Sequence, residues 1–332
     1  MKSLIQKLVE TMSPSGHEQP VRDLVRAEVS GLADEMRVDA MGSLIVRKGQ
    51  KSDSGLRVML SAHMDEIGVI ATHIDANGFV RFTTVGGVRT ATCIGSRVQF
   101  LSGQRGVVFT ERPDSNDKLP AFEQMYIDVG ASSRENCPVR VGDVAAFDRP
   151  FEDLGDRLVA KSMDDRIGVA VLIETLRSLD TSPHEVYFVF SVQEEVGLRG
   201  AQTAAYGVDP DLGISVDVTL SGDTPKGVKM AVGLGKGPAI KVRDGGMLSD
   251  PRVVDAMIAA AQRAGLPYQL EVLERGSTDA AAIQLTRAGV PAGCVSIPCR
   301  YVHAPSEMVD YNDVQNAVRL LVELLRGPVP LE

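Results

Sequence analysis

The chain has 332 residues, of which 44% are hydrophobic and 24% charged, enough for a buried core in one large domain or in a domain that carries a second. Its 35 basic and 44 acidic residues leave a net charge of −9. We therefore expect no binding to nucleic acid or to an anionic membrane, because both require positive fields at the protein surface.

The start of the sequence does not resemble a signal peptide, because Lys2, Lys7 and Glu10 interrupt its apolar positions. No stretch is apolar over the length that a bilayer requires. The cysteines lack the paired spacing of a zinc site, so reduced thiols are the simpler interpretation of Cys93, Cys137, Cys294 and Cys299. We expect a cytoplasmic protein.

Two helices are predicted near the start of the chain. Leu4, Ile5 and Leu8 form one apolar stripe and residues 21–29 form another, with a Ser-Pro-Ser-Gly break at 13–16 between them. Residues 57–62 follow as a short apolar run of the kind expected for a buried strand.

Residues 66–156 have a different pattern, in which short β-like runs are separated by turn residues. Asn77-Gly78 lies between two such runs, 70–74 and 79–82, and predicts a tight hairpin. Further runs are at 98–100, 107–109, 126–130 and 144–147. We predict that 66–156 is a small all-β domain.

Strands and helices alternate after Asp156. Apolar runs at 186–192 and 212–216 predict strands, the second ending at Asp217, and helical periodicity covers 167–179, 251–264, 279–287 and 314–325. This alternation predicts an α/β fold with a mainly parallel sheet flanked by helices. The simplest organisation is one α/β domain formed by 1–65 and 157–332, with the domain 66–156 inserted.

Histidine and acidic side chains occur at five predicted strand or helix ends: His63 with Asp65, Asp164-Asp165, Glu194-Glu195, Asp217 and His303. In α/β sheets, functional groups collect at the carboxyl ends of strands. Each residue alone has a structural explanation, such as a helix cap or a surface histidine. Clustered carboxylates, however, repel one another unless cations compensate them. Their joint placement favours a metal site.

Mixed imidazole and carboxylate donors suit zinc, cobalt or manganese better than magnesium or calcium. A two-metal site polarises a carbonyl and lowers the pKa of a bridging water, and one carboxylate must stay off the metals to accept the proton of that water. Adjacent Glu194 and Glu195 can divide these roles, because neighbouring side chains point in different directions. Asp65 can hold the second ring nitrogen of His63 and fix its tautomer.

Four motifs carry a family resemblance: Ala62-His63-Met64-Asp65-Glu66, Met163-Asp164-Asp165-Arg166, Gln193-Glu194-Glu195-Val196-Gly197 and Arg300-Tyr301-Val302-His303. At these motifs, and along nearly the whole chain, the sequence resembles the dinuclear-metal aminopeptidases that assemble into tetrahedral (TET) particles, the glutamyl and leucyl aminopeptidase family. The resemblance implies a zinc-exopeptidase-like catalytic domain. It also implies a metal-dependent hydrolase that removes N-terminal residues from peptides.

The same resemblance implies roles for the site residues. Asp164 would bridge two divalent metal ions, zinc or cobalt in the first place and manganese as a further candidate. His63 and Asp217 would complete the coordination of one ion, and Glu195 and His303 would complete that of the other. Glu194 would be the general base, and Asp65 would be the partner of His63.

An assembly is also implied. In the family the inserted domain makes dimer contacts, and dimers build a hollow tetrahedral dodecamer with the active sites inside. Self-association of this kind would restrict the substrates to short unfolded peptides.

Three alternatives stay open at this stage. A related dinuclear-metal amidase or deacylase would need a group that binds a substrate carboxylate, such as Arg300 or Arg275. A noncatalytic scaffold would be expected to have lost a ligand or the base, and none is lost here. An endoglucanase usually needs an aromatic-lined cleft. The chain has no tryptophan and only 5% aromatic residues, which counts against this alternative.

Overall fold

The computed structural model describes residues 1–112 and 119–331. Its strands are β1 Glu35–Val38, β2 Leu44–Lys48, β3 Arg57–His63, β4 Gly68–Ile74, β5 Val80–Val85, β6 Arg97–Phe100, β7 Arg105–Thr110, β8 Met125–Asp128, β9 Val144–Phe147, β10 Glu152–Asp153, β11 Arg157–Ala160, β12 Glu185–Ser191, β13 Leu212–Leu220, β14 Ala239–Arg243, β15 Gln269–Val272, β16 Ala292–Arg300 and β17 Glu307–Asp310. Its helices are α1 Lys2–Glu10, α2 Gln19–Val29, α3 Thr90–Cys93, α4 Met163–Ser178, α5 Arg199–Val208, α6 Pro251–Arg263, α7 Asp279–Gln284 and α8 Tyr311–Arg326, with a 3₁₀ turn at Phe122–Gln124.

The large sheet is mixed, so the prediction of a mainly parallel sheet was wrong in this respect. Its strand order is β1-β2-β12-β3-β13-β16-β17-β11-β10, with β14 pairing to β16 and β15 to β14. The four central strands β12, β3, β13 and β16 are parallel, whereas β1, β2, β17, β11 and β10 pair antiparallel. The antiparallel strands have only two to five residues, too few to produce a clear alternation in the sequence.

Alternate residues of the central strands pack against helices on opposite faces of the sheet. Leu60 and Phe188 belong to the core formed with α1, α2, α4, α6 and α8. Their chain neighbours Met59 and Val189 belong to a smaller core with α5 and α7. Because side chains alternate along a strand, a strand buried on both faces is apolar on both, as the sequence shows for residues 186–190 of β12.

Six strands form a second sheet, a closed barrel with the order β4-β5-β8-β7-β6-β9. Its interior is filled by apolar side chains that include Phe82, Phe100 and Phe147. The predicted hairpin is present, since β4 and β5 pair antiparallel and Gly78 takes a φ of +90° between them. The small all-β unit is therefore a barrel.

The domain boundaries 1–65, 66–156 and 157–332 stay a prediction. The barrel strands span Gly68 to Phe147, inside the range predicted for the insert. Strand β10 also lies in that range, but it pairs with β11 at the edge of the large sheet. No helix of the described residues is long and apolar enough to cross a membrane.

Strand β13 is longer than its apolar run predicts. The prediction that the strand ends at Asp217 was wrong, because pairing with β16 continues to Leu220 opposite Cys299. Aspartate is rare inside strands, so an aspartate after an apolar run indicates a strand end. A charged residue in the middle of a central buried strand is a first indication of function.

Candidate metal centre

The seven predicted site residues come together at one edge of the large sheet. His63 ends β3, and Ser191, the last residue of β12, lies beside it in register, so that Glu194 and Glu195 follow at the same edge. Asp217 lies within β13 and Asp164 in the first turn of α4. These carboxylates and His303 line a cavity of about 650 Å³. Asp65 and His63 are buried.

The imidazoles and carboxylates are in direct contact. His63 Nε2 lies 3.0 Å from Asp164 Oδ1. On the other side of Asp164, Oδ2 lies 3.3 Å from His303 Nε2, which in turn lies 3.3 Å from Glu195 Oε2. Asp164 thus lies between the two histidines and contacts both.

The possible ligand atoms form two groups, and the atoms within each group lie within 4.8 Å of one another. One group is His63, Asp164 and Glu195, and the other is His63, Glu194 and Asp217. These groups contain predicted ligands but do not divide them in the predicted way. They place Glu194 as near to His63 and Asp217 as a ligand would be, although the sequence predicts it to be the base. The division of ligands between two ions stays a prediction.

Asp65 connects His63 to the turn that carries both glutamates. Its carboxylate lies 3.4 Å from His63 Nδ1 and accepts hydrogen bonds from the backbone N–H groups of Glu194 at 3.0 Å and Glu195 at 3.2 Å. It also accepts a bond of 2.6 Å from the Ser15 hydroxyl. The buried Asp65 carboxylate therefore connects three parts of the site: His63, the turn with the two glutamates, and the Ser-Pro-Ser-Gly segment at 13–16.

Glu307 is a site residue that sequence reasoning missed. It is buried at the start of β17, and it accepts hydrogen bonds from the backbone N–H groups of Asp164 at 3.0 Å and His303 at 2.8 Å. Burial raises the pKa of the Glu307 carboxyl well above its usual range, and the charge of Asp164 adds to this. The only sequence signal was an acidic residue four positions after His303, which is too common a pattern to decide anything.

Asp279, the first residue of α7, also belongs to the site. Thr278 does cap that helix, but the Asp279 carboxylate also accepts hydrogen bonds from Ser61 at 2.6 Å and Ser191 at 2.5 Å. These serines lie on β3 and β12, two and three residues before His63 and Glu194. Asp279 therefore holds together the two strand ends that carry the site.

The barrel also contacts the metal centre. A Cβ atom added to Gly86 would lie 3.1 Å from Glu195 Oε2, and one added to Gly87 would lie 2.3 Å from His303 Nδ1. The backbone of this loop therefore packs directly on two predicted ligands. Only glycine allows such a close approach at Gly87.

The pKa values show that the cluster lacks positive charge. Burial raises the pKa of the Asp217 carboxyl well above its usual range, and so does the charge of Asp164. Burial likewise raises the pKa of Glu194 well above its usual range, and that of Glu195 to a smaller extent. Burial alone would lower the pKa of His303, but hydrogen bonds to Asp164 and Glu195 raise it to about 11. Without metal ions, the carboxylates and His303 therefore hold protons that reduce the negative charge of the cluster.

Divalent metal ions fit this donor set. Two imidazoles and several carboxylates, buried within ligand distance of one another, are the donors that transition-metal ions bind. Such ions would supply the positive charge that the raised pKa values call for. The fold and the donor set together define a metal-dependent hydrolase with its centre at the edge of an α/β sheet.

Comparison with known proteins identifies the class. The family model of the M42 glutamyl aminopeptidases matches residues 42–320. The chain is 36% identical to a lysyl aminopeptidase of Pyrococcus furiosus, over 99% of this chain and 98% of that protein. Among solved structures it is similar to an aminopeptidase of Desulfurococcus kamchatkensis, with 40% identity, a TM-score of 0.94 and coverage of 98% and 94%. It is also similar to the Pyrococcus horikoshii TET1 peptidase, with 30% identity, a TM-score of 0.87 and coverage of 98% of both chains.

The chain belongs to the M42 glutamyl aminopeptidase family. It is a metal-dependent aminopeptidase, a hydrolase of peptide bonds, and the predicted family and activity are confirmed.

Proposed function

We propose that this aminopeptidase works with two divalent metal ions, held by His63, Asp164, Glu195, Asp217 and His303. Both ions are zinc or cobalt in the first place, with manganese as a further candidate, because the donors are imidazoles and carboxylates without thiolates. The contact of Asp164 with both histidines supports its role as the bridging ligand.

The placement of the two adjacent glutamates carries the proposal for the base. Asp65 holds both of their N–H groups, and their carboxylates then diverge. Glu195 Oε2 lies 3.3 Å from His303 Nε2, whereas Glu194 Oε2 lies 3.8 Å from His63 Nε2. Both glutamates line the cavity. These distances support Glu195 as a ligand of one ion and Glu194 as the general base.

When bound, the two ions would polarise the scissile carbonyl and lower the pKa of the attacking water. Glu194 accepts the proton of this water and then donates it to the leaving amine. Its burial, which raises its affinity for a proton, suits both steps. Asp65 keeps the ring of His63 in one orientation and holds the turn that carries Glu194.

We also propose a zinc-exopeptidase-like catalytic domain formed by 1–65 and 157–332, with an inserted domain at 66–156 that forms dimers. The Pyrococcus horikoshii TET1 peptidase assembles into a tetrahedron or a large octahedral shell. By analogy, dimers of this chain would build a tetrahedral dodecamer that admits short unfolded peptides. The exposed side chains of Val107 and Phe109 on the barrel strand β7 support self-association through the insert. Native mass spectrometry of the full chain tests it, and a monomer at micromolar concentration would contradict it.

The four cysteines are free thiols, which supports the expected cytoplasmic location.

The mechanism is tested with metal-stripped protein and a panel of aminoacyl-p-nitroanilides, with zinc, cobalt or manganese added back. We expect metal-restored release of p-nitroaniline, which Glu194→Gln abolishes although elemental analysis still finds two metals per chain. Glu152→Gln, an exposed glutamate on β10, is the control and should behave as the native protein does. If Glu194→Gln keeps its activity, the base is another group. If it loses a metal, Glu194 is a ligand.

A further inference from the structure

The preferred substrate is not set by family membership, because the family is described as glutamyl and one relative is named for lysyl activity. The side chains that line this chain's own cavity must decide it. Besides the metal centre, the cavity is lined by three cationic residues: Arg89, Lys241 and Arg275.

Lys241 is already neutralised by a partner. It is buried and paired with Glu271, which also accepts a hydrogen bond of 2.6 Å from the Thr219 hydroxyl. Arg300, the other arginine considered from the sequence as a carboxylate ligand, donates to both carboxylate oxygens of Asp223, at 2.9 and 2.8 Å. It is not among the cavity's lining residues. Neither side chain is therefore available to a substrate.

Arg89 and Arg275 differ from these two. Both are exposed, and in residues 1–112 and 119–331 neither guanidinium forms an ion pair or a side-chain hydrogen bond. Arg89 follows the Gly86-Gly87 loop that packs on His303, and Arg275 precedes the cap of α7. Both residues thus line the cavity, Arg89 from the loop after β5 and Arg275 from the segment between β15 and α7.

Arginine is a suitable donor for a carboxylate, since one guanidinium can bind both carboxylate oxygens through charge-assisted hydrogen bonds.

The charge of the cavity points in the same direction. Its lining includes four carboxylates at the metal centre: Asp164, Glu194, Glu195 and Asp217. Two divalent ions would balance these four charges, and Glu271 balances Lys241. Arg89 and Arg275 have no charged partner among the other lining residues, so that their part of the cavity is complementary to a negatively charged group of a substrate.

We propose that Arg275, with Arg89 as a second arginine lining the same cavity, binds a carboxylate of the substrate and so determines specificity. This inference rests on the proposed function. The carboxylate has two possible sources, an acidic N-terminal side chain and the C-terminal carboxylate of a very short peptide. Both would be recognised by the same charge-assisted hydrogen bonds.

Two matched substrate pairs separate the sources. Glutamyl- and glutaminyl-p-nitroanilide differ only in the side-chain charge, and Leu-Ala and Leu-Ala amide only in the terminal charge. We expect native protein to favour the charged member of one pair in kcat/KM, mainly through KM. Arg275→Ala should reduce that preference by about 10- to 100-fold, the size of one lost charged hydrogen bond. Arg89→Ala should reduce it by a smaller factor, and Arg275→Lys should restore part of it.

Arg149→Ala is the control, because Arg149 is an exposed arginine that does not line this cavity. It should leave the preference as in native protein. A second measurement is equilibrium binding of Glu-Ala and Gln-Ala to the metal-loaded Glu194→Gln protein, with and without Arg275→Ala.

If Arg275→Ala reduces the preference for glutamyl- over glutaminyl-p-nitroanilide, the subsite binds the N-terminal side chain. If it reduces the preference for Leu-Ala over Leu-Ala amide, the subsite binds the C-terminal carboxylate of the peptide. An active enzyme with no preference in either pair, or with a preference that survives both alanine variants, would overturn the inference. Absence of hydrolysis of every substrate would instead contradict the proposed mechanism.

Discussion

Gly87 of the barrel loop lies directly against the imidazole of His303, so closely that a Cβ atom at this position would be 2.3 Å from Nδ1. No side chain fits there unless the imidazole moves. The barrel therefore helps to fix the position of a predicted metal ligand of the other sheet, in addition to any part it has in assembly.

We predict that Gly87→Ala lowers metal affinity by displacing His303. Its φ does not lie in the left-handed region, so the steric conflict with the imidazole is the main expected effect. Affinity for zinc, measured by competition with a chelator, should fall about tenfold or more, as it does when a ligand is poorly oriented. Gly207→Ala, on the exposed side of α5, is the control and should stabilise the fold slightly. Unchanged affinity would show that the ring can move without cost.

Asp65→Asn is predicted to impair the site more than the fold. Asparagine keeps the shape of the side chain and the contact of 3.2 Å between the Asp65 carbonyl oxygen and His63 Nδ1, but it removes the charge that faces His63 and accepts the N–H groups of Glu194 and Glu195. We expect a loss of about 10- to 100-fold in metal affinity or kcat, the range for groups that orient ligands. Asp53→Asn, in an exposed turn, serves as the control. Native metal affinity and kcat in the Asp65 variant would remove its positioning role.

The parts of the fold and of the site that could be predicted from the sequence are those marked by a long apolar run or by several similar residues at strand or helix ends. The long apolar run of β12 and the five strand or helix ends with acidic or histidine residues were sufficient to predict that the seven site residues come together at one edge of the large sheet. Glu307 and Asp279 could not be found in this way, because their function depends on strands distant in sequence. Asp279 contacts Ser61 and Ser191, which are separated from it by 218 and 88 positions. Such contacts exist only after the sheet order is known.

Metal binding is predicted to weaken as the pH falls. In the metal-free protein the pKa of His303 is about 11, so its ring retains a proton throughout the neutral range. A metal ion that binds His303 must displace this proton, and binding therefore releases protons. Apparent cobalt affinity should rise about tenfold per pH unit for each proton released, measured by titration calorimetry between pH 6 and 8 in two buffers of different ionisation enthalpy. An affinity independent of pH and buffer would contradict the raised pKa.

Glu307→Gln is predicted to weaken metal binding without unfolding the protein. The glutamate accepts hydrogen bonds from the N–H groups of Asp164 and His303, one at each carboxylate oxygen. Glutamine offers one oxygen and one donor, so one N–H would face another donor. We expect about 10- to 100-fold lower metal affinity with a circular dichroism spectrum like that of native protein. The exposed Glu152→Gln is again the control, and equal affinities in both variants would sink the prediction.

Arg166 is predicted to support the site through the stability of the whole domain. It is fully buried, and its guanidinium donates to the carbonyl oxygens of Met64 at 2.6 Å, Leu8 at 2.5 Å and Thr11 at 2.7 Å, and contacts Glu66 at 3.4 Å. Arg166→Met would remove this donor from all of these acceptors, although the Leu8 carbonyl keeps a hydrogen bond of 3.3 Å from the Thr11 N–H and Glu66 keeps Lys161 at 2.7 Å. Loss of one member of a buried charged network costs about 3–5 kcal/mol, so the free energy of unfolding in urea should fall by this amount. The exposed Arg149→Met is the comparison. A midpoint like that of native protein would mean that water replaces the guanidinium and that the N-terminal segment is held by its apolar contacts alone.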